Sequence, residues 1–390
     1  MAKISNRYAI TGVGESKRSR NSGTTPLHLA LDAARNALDD AGLKAEDIDG
    51  FMNYSTGGDS CSSHELASYL GVRPQYVTDV NGGGASTEML VGDAIGMIEA
   101  GFLDTVLIFR SMNGASGQKV GRGYDPDMLQ GALSGGSFII PYGSASPSQW
   151  FGMFATRHMH LNNITKKDLG YVCTSLYDNA QKNPRAFLNG KPLTMEEYLE
   201  TPDISYPFNI HDSSLELDEA NVIIVTSSEN AKKAKSKPDY IKGISTRQAH
   251  PHPHYWSDLD QVAADYVAPE VYESAGVKPE DIDVAAIYDC FSWVVIRQLL
   301  AYGLVKIENL SEFLKEGNLK IDGEMPINTA GGMLAEGYTH GMNNFIELVR
   351  QIRHDYKGTD RQVKDCEIGL CTGWAGPDIA GAVILTNQEG

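Results

Sequence analysis

A nine-residue pattern, A-G-[LV]-K-x-E-D-I-D, occurs twice in this chain of 390 residues. The first copy is Ala41–Asp49 and the second is Ala275–Asp283, so the copies lie 234 residues apart (275 minus 41). Their surroundings also agree, since 37–52 read ALDDAGLKAEDIDGFM and 271–287 read VYESAGVKPEDIDVAAI. A match of this length predicts a duplicated domain, in which both halves repeat one structural unit.

Each copy of the pattern joins a predicted helix to a predicted buried strand. Thr25 can cap a helix that begins at Pro26, a favoured first position, and Gly42 can end that helix. In the second half, a helix around 264–275 ends at Gly276, and D-I-D then leads into VAAIYDCF. Short apolar runs predict strands at GFMNY (50–54), TVLIF (105–109), NVIIVTS (221–227), EIGLC (367–371) and AVILT (382–386). Helices that alternate with short apolar strands favour an α/β fold with a mixed sheet.

A segment of different composition, rich in Gly, Ser, Pro, Tyr and Met, separates the two halves. We therefore predict an N-terminal half (1–115 plus 216–240), an inserted domain (116–215) and a C-terminal half (241–390). Within the insertion, helices are predicted around 147–160 and 166–182. Because long insertions often carry function, we interpret this one as a cover over a ligand site; the alternative is a structural elaboration without a ligand.

Charge and hydropathy exclude several classes of function. The net charge of −17 argues against a nucleic-acid partner, although an anionic ligand could still bind at helix N-termini. No run of 18 apolar residues exists, so we predict no membrane span, and the first residues do not resemble a secretory signal. The cysteines form an odd and scattered set, which indicates a reducing compartment, and we expect a cytoplasmic location.

No metal site is expected. Cys366 and Cys371 lie beside a predicted strand without a second pair to complete a zinc site. His250, His252 and His254 alternate along the chain and would share one side of a strand. We favour a proline-stiffened loop for this segment over a metal site.

Two glycine-rich loops precede predicted helices, one in each half. They are DVNGGGASTEML, from residue 79, and NTAGGMLAEGYTHGMNN, from residue 328. A duplicated α/β unit would bring these two helix mouths together across a pseudo-twofold axis. Backbone N–H groups at both mouths would then be placed to stabilise an oxyanion or an enolate.

The duplicated half, the segments N-x-x-G-G and Y-D-C-F, and the closing C-x-G-W-A-G together resemble the thiolase superfamily, in its sterol-carrier-protein-type branch. The resemblance extends over essentially the whole chain. It implies a duplicated thiolase fold with five αβαβα layers and an inserted loop domain. It also implies acyl-CoA substrates, with coenzyme A as part of the substrate rather than as a separate or covalently bound cofactor, and a homodimer.

The motif positions of thiolases fall on unusual residues in this chain. The nucleophile's motif matches 80–86, and the position of its cysteine is Gly84. The N-E-A-F or H-D-C-F motif matches Tyr288 and the three residues after it, and G-H-P-x-G matches 337–341, which contain Tyr338 and His340. The terminal cysteine matches Cys371. A thioester cannot form on a glycine, so an acyl transfer through this position is excluded.

This combination resembles the steroid side-chain-cleaving aldolases, which lack the cysteine and have tyrosines at both positions. The resemblance implies retro-aldol cleavage of a β-hydroxyacyl-CoA to a ketone and a short acyl-CoA such as propionyl-CoA. It also implies a heterotetramer with a small OB-fold protein that carries a zinc ribbon.

Candidate roles follow from that chemistry. Tyr288 or Tyr338 is the base; we lean towards Tyr288 and leave the order open, with His340 or Asp289 as a helper. Cys371 is the acid for the α-carbon, and backbone N–H groups near Gly84 and Gly373 hold the enolate oxygen.

Other interpretations of the same residues remain. Each tyrosine could be a structural phenol and His340 a backbone cap, while Asn81 and Asn328 are expected to shape their glycine loops. Two rival functions are an acyltransferase that uses a displaced cysteine, Cys290 or Cys371, and a non-catalytic lipid or acyl-CoA carrier.

Overall fold

One nine-stranded sheet organises the computed structural model, which describes residues 4–117, 119, 142–144, 146–249, 258 and 260–389. Its strands are β1 (Tyr8–Glu15), β2 (Gly50–Ser55), β3 (Tyr76–Asn81), β4 (Thr105–Asn113), β7 (Asp218–Ser227), β8 (Asp239–Gln248), β9 (Val284–Ala286), β10 (Ile368–Trp374) and β11 (Ile379–Thr386). Two short strands, β5 (Asp203–Ser205) and β6 (Phe208–Asn209), pair separately. The order across the large sheet is β3-β2-β4-β7-β1-β8-β11-β10-β9.

Helices cover both sides of the sheet. Those of the first half and the insertion are α1 (Pro26–Ala41), α2 (Ser63–Tyr69), α3 (Ser86–Glu99), α4 (Pro147–Asn162), α5 (Lys166–Lys182), α6 (Met195–Glu200) and α7 (Ser228–Ala231). Those of the second half are α8 (Ala264–Ala275), α9 (Ser292–Ala301), α10 (Leu310–Lys315), α11 (Gly332–Ala335) and α12 (Met342–Ile352). Within the described ranges, no helix is both long enough and apolar enough to cross a membrane.

The strand order repeats in the two halves, as the duplicated pattern predicts. In the first half, β2 runs parallel to β3 and β4, and β7 is antiparallel to β4 and β1. In the second half, β9 runs parallel to β10 and forms a parallel bridge to Ile327, while β11 is antiparallel to β10 and β8. The halves join where β1 pairs with β8.

The repeated pattern makes the same hydrogen bonds in both halves. Asp47 Oδ2 accepts from the backbone N–H of Lys44 at 2.8 Å, and Asp281 Oδ2 accepts from that of Lys278 at 2.8 Å. Asp49 likewise accepts from the N–H groups that begin β4, and Asp283 from those that begin β10. The K-x-E-D-I-D residues therefore fix a turn and align two neighbouring strands in each half.

The layers follow the five-layered arrangement of the predicted fold class, which is confirmed. Helices α3 and α12 lie in the middle, and each contacts strands of both halves. Their apolar side chains share one core cluster with strands from both halves, including Leu90 and Val91 of α3 and Phe345 and Ile352 of α12. Helix α1 covers the outer side of the first half, and α8 covers the outer side of the second.

The two helices predicted in the insertion are present as α4 and α5. Helix α5 anchors the insertion to the glycine loop of the second half, because Asn179 Nδ2 donates to Ile327 O at 3.0 Å and Asn183 Nδ2 donates to Ala330 O at 3.1 Å. Residues 120–141 lie outside the described residues, so the covering role of the insertion and the exact domain limits stay predictions.

The segment VAAIYDCF differs from its expected form, because the strand β9 ends at Ala286. From there the side-chain amide of Asn328 replaces a neighbouring strand: its Oδ1 accepts from Ile287 N and its Nδ2 donates to Ile287 O, both at 2.8 Å. The chain thus leaves the sheet directly before Tyr288. The Asn328 side chain thus joins the start of the second glycine loop to the segment before Tyr288.

Candidate active site

The two glycine loops meet at the ring of Tyr288. Gly84 lies two residues before α3, and Gly341, with a φ of 86°, directly precedes α12. A Cβ atom on Gly84 would lie 2.0 Å from both Cε2 and Cζ of Tyr288, and one on Gly341 would lie 2.9 Å from Cδ2. The phenol ring therefore occupies the space that any side chain at position 84 would need. No side chain, nucleophilic or otherwise, fits at position 84 while Tyr288 keeps this position.

The side chains of Tyr288 and Tyr338 lie close enough for each phenol to influence the pKa of the other. Both are buried, with exposed fractions of 3% and 5%. Burial raises the pKa of each phenol well above its ordinary value, and the neighbouring Tyr338 raises the pKa of Tyr288 further. Both phenols are thus neutral at neutral pH.

His340 is held as a neutral imidazole. Its Nδ1 accepts from the guanidinium of Arg110, at 3.4 Å from Nε and 3.3 Å from Nη2. A guanidinium can only donate, so Nδ1 carries no proton and the ring keeps its proton on Nε2. Burial, and then the charge of Arg110, lower the pKa of His340 well below its ordinary value. The imidazole is therefore a hydrogen-bond donor, and its ring centroid lies 4.7 Å from that of Tyr338.

Arg110, at the end of the apolar run of β4, is fully buried. Its Nη2 donates to Asp59 Oδ2 at 2.5 Å, and its Nη1 donates to Ser111 O at 3.0 Å. Sequence reasoning missed this residue. The available signal was a lone arginine that directly follows TVLIF in a strand predicted to be buried, since a buried arginine needs a carboxylate or another acceptor nearby.

Tyr54 ties the loop of Tyr338 and His340 to the first half. Its hydroxyl lies 2.9 Å from Thr87 Oγ1 and also donates to the carbonyl oxygens of Thr339 and His340, at 3.3 and 3.2 Å. Arg110 lies over the same ring, with its Cζ 5.4 Å from the centroid. Side chains of the first half thus fix the backbone that carries the second phenol.

Asp289 shapes the second glycine loop. Its Oδ1 accepts from Met333 N at 3.1 Å and from Asn344 Nδ2 at 2.8 Å, and its Oδ2 accepts from Leu334 N at 3.2 Å. Burial raises its pKa to about 7, against the effect of these hydrogen bonds. A Cβ on Gly332 would lie 2.2 Å from Oδ2, so the glycine makes room for this carboxyl. These contacts engage Asp289 with backbone and amide groups rather than with the hydroxyl of Tyr288.

Cys371 and Gly373 lie on β10, next to the start of α3. The Sγ of Cys371 donates to Glu88 Oε1 at 3.5 Å, and a Cβ on Gly373 would lie 2.0 Å from Glu88 Oε2. The N–H of Trp374 donates to Gly84 O at 3.2 Å, which joins β10 to the first glycine loop. The structure therefore brings the candidate acid and both candidate enolate-binding glycines together. The assignment of the N–H groups of Gly84 and Gly373 to an enolate oxygen stays a prediction.

Glu88 is the second residue that sequence reasoning missed. It is buried on α3, where burial raises its pKa to about 7. The sequence feature that could have revealed it is a lone carboxylate one helical turn after Gly84, on a helix whose other inward positions are apolar or small.

All five cysteines are free and buried. Burial raises the pKa of the thiol to about 12 for Cys61, and above its ordinary value for Cys173, Cys290, Cys366 and Cys371. Nucleophilic cysteines instead need electropositive, partly exposed surroundings that favour the thiolate. These environments weigh against a displaced cysteine nucleophile.

Among the residues that the structure describes, no three His, Cys, Asp or Glu side chains come together so as to hold a metal ion. The histidines of the proline-rich segment, His250, His252 and His254, lie outside the described residues. Their interpretation as a loop stays a prediction.

Known proteins are similar to this chain over nearly its full length. Residues 245–387 match the family "Thiolase C-terminal domain-like". A "Steroid side-chain-cleaving aldolase" of Thermomonospora curvata is 32% identical over 361 residues, which cover 90% of this chain and 92% of that protein. A "17-hydroxy-3-oxo-4-pregnene-20-carboxyl-CoA lyase" of Mycobacterium tuberculosis is 32% identical over 359 residues, with the same 90% and 92% covered.

A solved structure has the same fold throughout. It is described as "Ltp2-ChsH2(DUF35) aldolase" and superposes on this chain with a TM-score of 0.89 at 29% sequence identity. The match covers 99% of this chain and 100% of that chain.

Proposed function

This chain belongs to the thiolase superfamily, in the branch of the steroid side-chain-cleaving aldolases, and we propose that it cleaves the bond between the α- and β-carbons of a β-hydroxyacyl-CoA. The β-carbon would carry a bulky alicyclic group such as a steroid ring system. The products would be a ketone and a short acyl-CoA such as propionyl-CoA. The enzyme is a carbon–carbon lyase, and coenzyme A enters as part of its substrate.

The observation that carries this proposal is the position of the Tyr288 ring against Gly84. A thiolase needs a side chain at this position to form a thioester, and the phenol takes its place. A retro-aldol cleavage needs no covalent intermediate: the hydroxyl loses its proton, the C–C bonding pair becomes an enolate, and the α-carbon gains a proton. The ketone and the acyl-CoA then contain all the atoms of the substrate.

The phenol pair supplies the route for the hydroxyl proton. A neutral phenol accepts a proton only as it passes its own proton on, and two neighbouring phenols can do this in sequence. We keep Tyr288 as the favoured partner of the substrate hydroxyl, with Tyr338 orienting or donating. The opposite order is the alternative.

The enolate needs donors and then an acid. His340 has a proton on Nε2 to donate, and the backbone N–H groups near Gly84 and Gly373 are the further candidates for the enolate oxygen. Cys371 is proposed as the acid for the α-carbon, because its buried thiol keeps its proton at neutral pH.

We also propose a homodimer and a small partner. Among the residues that the structure describes, no strand pairs with the outer edge of β3, so a second copy could extend the sheet there, and Val77 on this strand is 40% exposed. One similar solved structure is described as "Ltp2-ChsH2(DUF35) aldolase", which supports a partner protein. In this proposal the partner is a small OB-fold protein that carries a zinc ribbon, and the two chains form a heterotetramer. Free cysteines throughout support a cytoplasmic location.

The test offers a β-hydroxyacyl-CoA with a steroid tail to the purified protein, with and without the OB-fold partner. We expect ketone and short acyl-CoA in equal amounts by mass spectrometry, and no acyl adduct on the protein by intact mass. The variant Cys290→Ala should turn over at the wild-type rate. An acyl group trapped on a cysteine would favour the acyltransferase instead, and binding without products would favour the carrier.

A further inference from the structure

The carboxyl of Glu88 is buried next to the candidate acid and has no basic partner among the residues that the structure describes. Its exposed fraction is 2%, and none of the ion pairs among the described residues includes it. A buried carboxylate without a cation is unfavourable, so such a group normally keeps its proton. Burial accordingly raises the pKa of Glu88 to about 7. At neutral pH this carboxyl is therefore able both to hold and to release a proton.

One carboxyl oxygen is engaged and the other is left without a partner. Oε1 accepts from the thiol of Cys371 at 3.5 Å. Oε2 is buried and has no hydrogen-bond partner in the described part of the chain. An unsatisfied polar atom in a protein interior calls for a physical explanation, such as a role in proton transfer or a bound molecule.

Two glycines on neighbouring strands make room for this carboxyl. A Cβ on Gly373 of β10 would lie 2.0 Å from Oε2, and one on Gly381 of β11 would lie 2.7 Å from the Cβ of Glu88. The two glycines face each other in the antiparallel register of these strands. The sheet is thus shaped around Glu88, and the first glycine loop, one helical turn before it, leads to the phenol of Tyr288.

We propose that Glu88 returns the proton that Cys371 gives to the α-carbon, so that carboxyl and thiol act as a two-step donor. This inference rests on the proposed cleavage. In the first step the enolate pair takes the S–H proton, a C–H bond forms and a thiolate remains. In the second step the carboxyl O–H proton moves to the thiolate and leaves a carboxylate. Solvent protonates that carboxylate again when the product leaves, while the proton from the substrate hydroxyl leaves through the phenols.

The second step, proton transfer from the carboxyl of Glu88 to the thiolate of Cys371, is energetically favourable. Burial and the nearby carboxyl raise the pKa of the Cys371 thiol well above its ordinary value, whereas the pKa of Glu88 is about 7. A thiolate formed at this place is therefore the stronger base. Glu88 acts through Cys371 and does not itself touch the substrate, so it is a positioning residue that also restores the thiol.

The experiment measures the exchange of the α-hydrogens of propionyl-CoA in D₂O, catalysed by the full chain with its partner. This exchange is the protonation step in both directions and needs no steroid. We expect Glu88→Gln, which keeps an acceptor for the thiol, to lower the rate at saturation at least about tenfold. The KM should stay within about twofold because no substrate contact is removed. Cys371→Ala should abolish the exchange, and adding Glu88→Gln to it should cause no further loss.

Asp239→Asn is the matched control. Asp239 is another buried carboxyl with a pKa raised to about 7, but it pairs with Arg353 away from the phenols. The α-hydrogen exchange rate of Asp239→Asn per folded molecule should stay within about twofold of the wild-type rate.

The outcomes separate this inference from the proposed function. Three results would each overturn the inference while steroid cleavage could persist. The first is an exchange rate equal to that of the wild type in Glu88→Gln or in Cys371→Ala. The second is independent, multiplying effects of the two changes in the double variant, and the third is no exchange by the wild-type protein. Exchange that depends on both residues, together with no cleavage of any β-hydroxyacyl-CoA, would leave the inference standing and overturn the proposed function. Should Glu88→Gln fail to fold, Cys371→Ala can still overturn the inference, because wild-type exchange in that variant would show that the thiol is not the donor that Glu88 restores.

Discussion

Nη2 of Arg110 lies 3.3 Å from Nδ1 of His340, and this contact decides which nitrogen of the imidazole carries the proton. The arginine belongs to β4 in the first half, and the histidine belongs to the glycine loop of the second half. His340 itself has a φ of 50°, a left-handed conformation that few residues other than glycine adopt. The duplicated fold therefore builds its site across the halves, with one half setting the protonation of a group on the other.

Replacing Arg110 is expected to change both the pKa and the tautomer of the His340 imidazole. In Arg110→Gln the pKa of His340 should rise towards its ordinary value, because the neighbouring positive charge is lost, and both tautomers should become populated. Nitrogen-15 NMR of histidine-labelled protein would report this: the wild-type ring should remain neutral between pH 6 and 8, protonated on Nε2. Because Arg110→Gln also leaves Asp59 buried without its partner, Asp59→Asn/Arg110→Gln is the control that keeps the pair neutral. A wild-type His340 that titrates near its ordinary pKa would contradict the tautomer assignment.

The hydroxyl groups of the phenol pair are expected to be essential for cleavage. Tyr288→Phe and Tyr338→Phe should each lower kcat by roughly 100-fold or more, because each interrupts the route of the hydroxyl proton. Folding should survive, since each ring is kept. The control is Tyr272→Phe, which removes the hydroxyl of another buried tyrosine that donates to Tyr302 O at 2.8 Å. Steady-state turnover and thermal unfolding measure both effects; if both variants cleave at the wild-type rate, the phenols are structural.

Local patterns predicted the parts of the fold that depend on residues close in sequence. The caps at Gly42 and Gly276, with φ values of 68° and 67°, and the turns made by Asp47 and Asp281 are fixed by neighbours a few positions away. Periodicity likewise predicted α1, α4 and α5 close to their observed limits. Such short-range signals need no knowledge of tertiary packing.

Those local patterns could not predict contacts between segments that are distant in the sequence. The strand β9 is short because Asn328, 41 residues after Ile287, takes over its backbone hydrogen bonds. Arg110 and Glu88 were hidden for the same reason, since their partners, His340 and Cys371, come from the other half. The sequence could reveal that Gly84 lacks a thiol, but the filling of its space by Tyr288 depends on how the two helix mouths pack.

Adding one methyl group at position 84 should disturb that packing. In Gly84→Ala the new Cβ would collide with the Tyr288 ring, so we expect a loss of about 1–3 kcal/mol in the free energy of unfolding and a strong loss of cleavage. Gly96→Ala is the matched control on the same helix, because a Cβ there meets no atom within 4 Å. That change should be neutral or stabilise by up to about 1 kcal/mol, with full activity. Urea unfolding and turnover measure both variants; wild-type stability and activity in Gly84→Ala would show that Tyr288 does not occupy this space.

The stability of the fold should depend on pH through Glu88 with a definite sign. The folded-state pKa of about 7 lies above the ordinary value of 4.5, so between these values the native chain keeps a proton that the unfolded chain releases. The free energy of unfolding therefore falls as pH rises through this window, by at most about 3 kcal/mol. The titratable side chains that interact with Glu88 are Cys371, Tyr54 and Tyr302, whose pKa values are all raised, so they stay neutral here.

The glutamine of Glu88→Gln does not ionise, so the free energy of unfolding of this variant should not fall with pH through this group. We expect it to unfold at a higher urea concentration than the wild type at pH 8 and at a similar concentration at pH 5. Glu65→Gln gives the opposite sign in a lower pH window, because hydrogen bonds from Ser62 lower the pKa of Glu65 below its ordinary value of 4.5. That variant should lose stability relative to the wild type as pH rises to about 4.5 and show a constant difference from pH 5 to pH 8. A constant difference between Glu88→Gln and the wild type from pH 5 to pH 8 would mean that the carboxyl at position 88 titrates alike in the folded and unfolded chains.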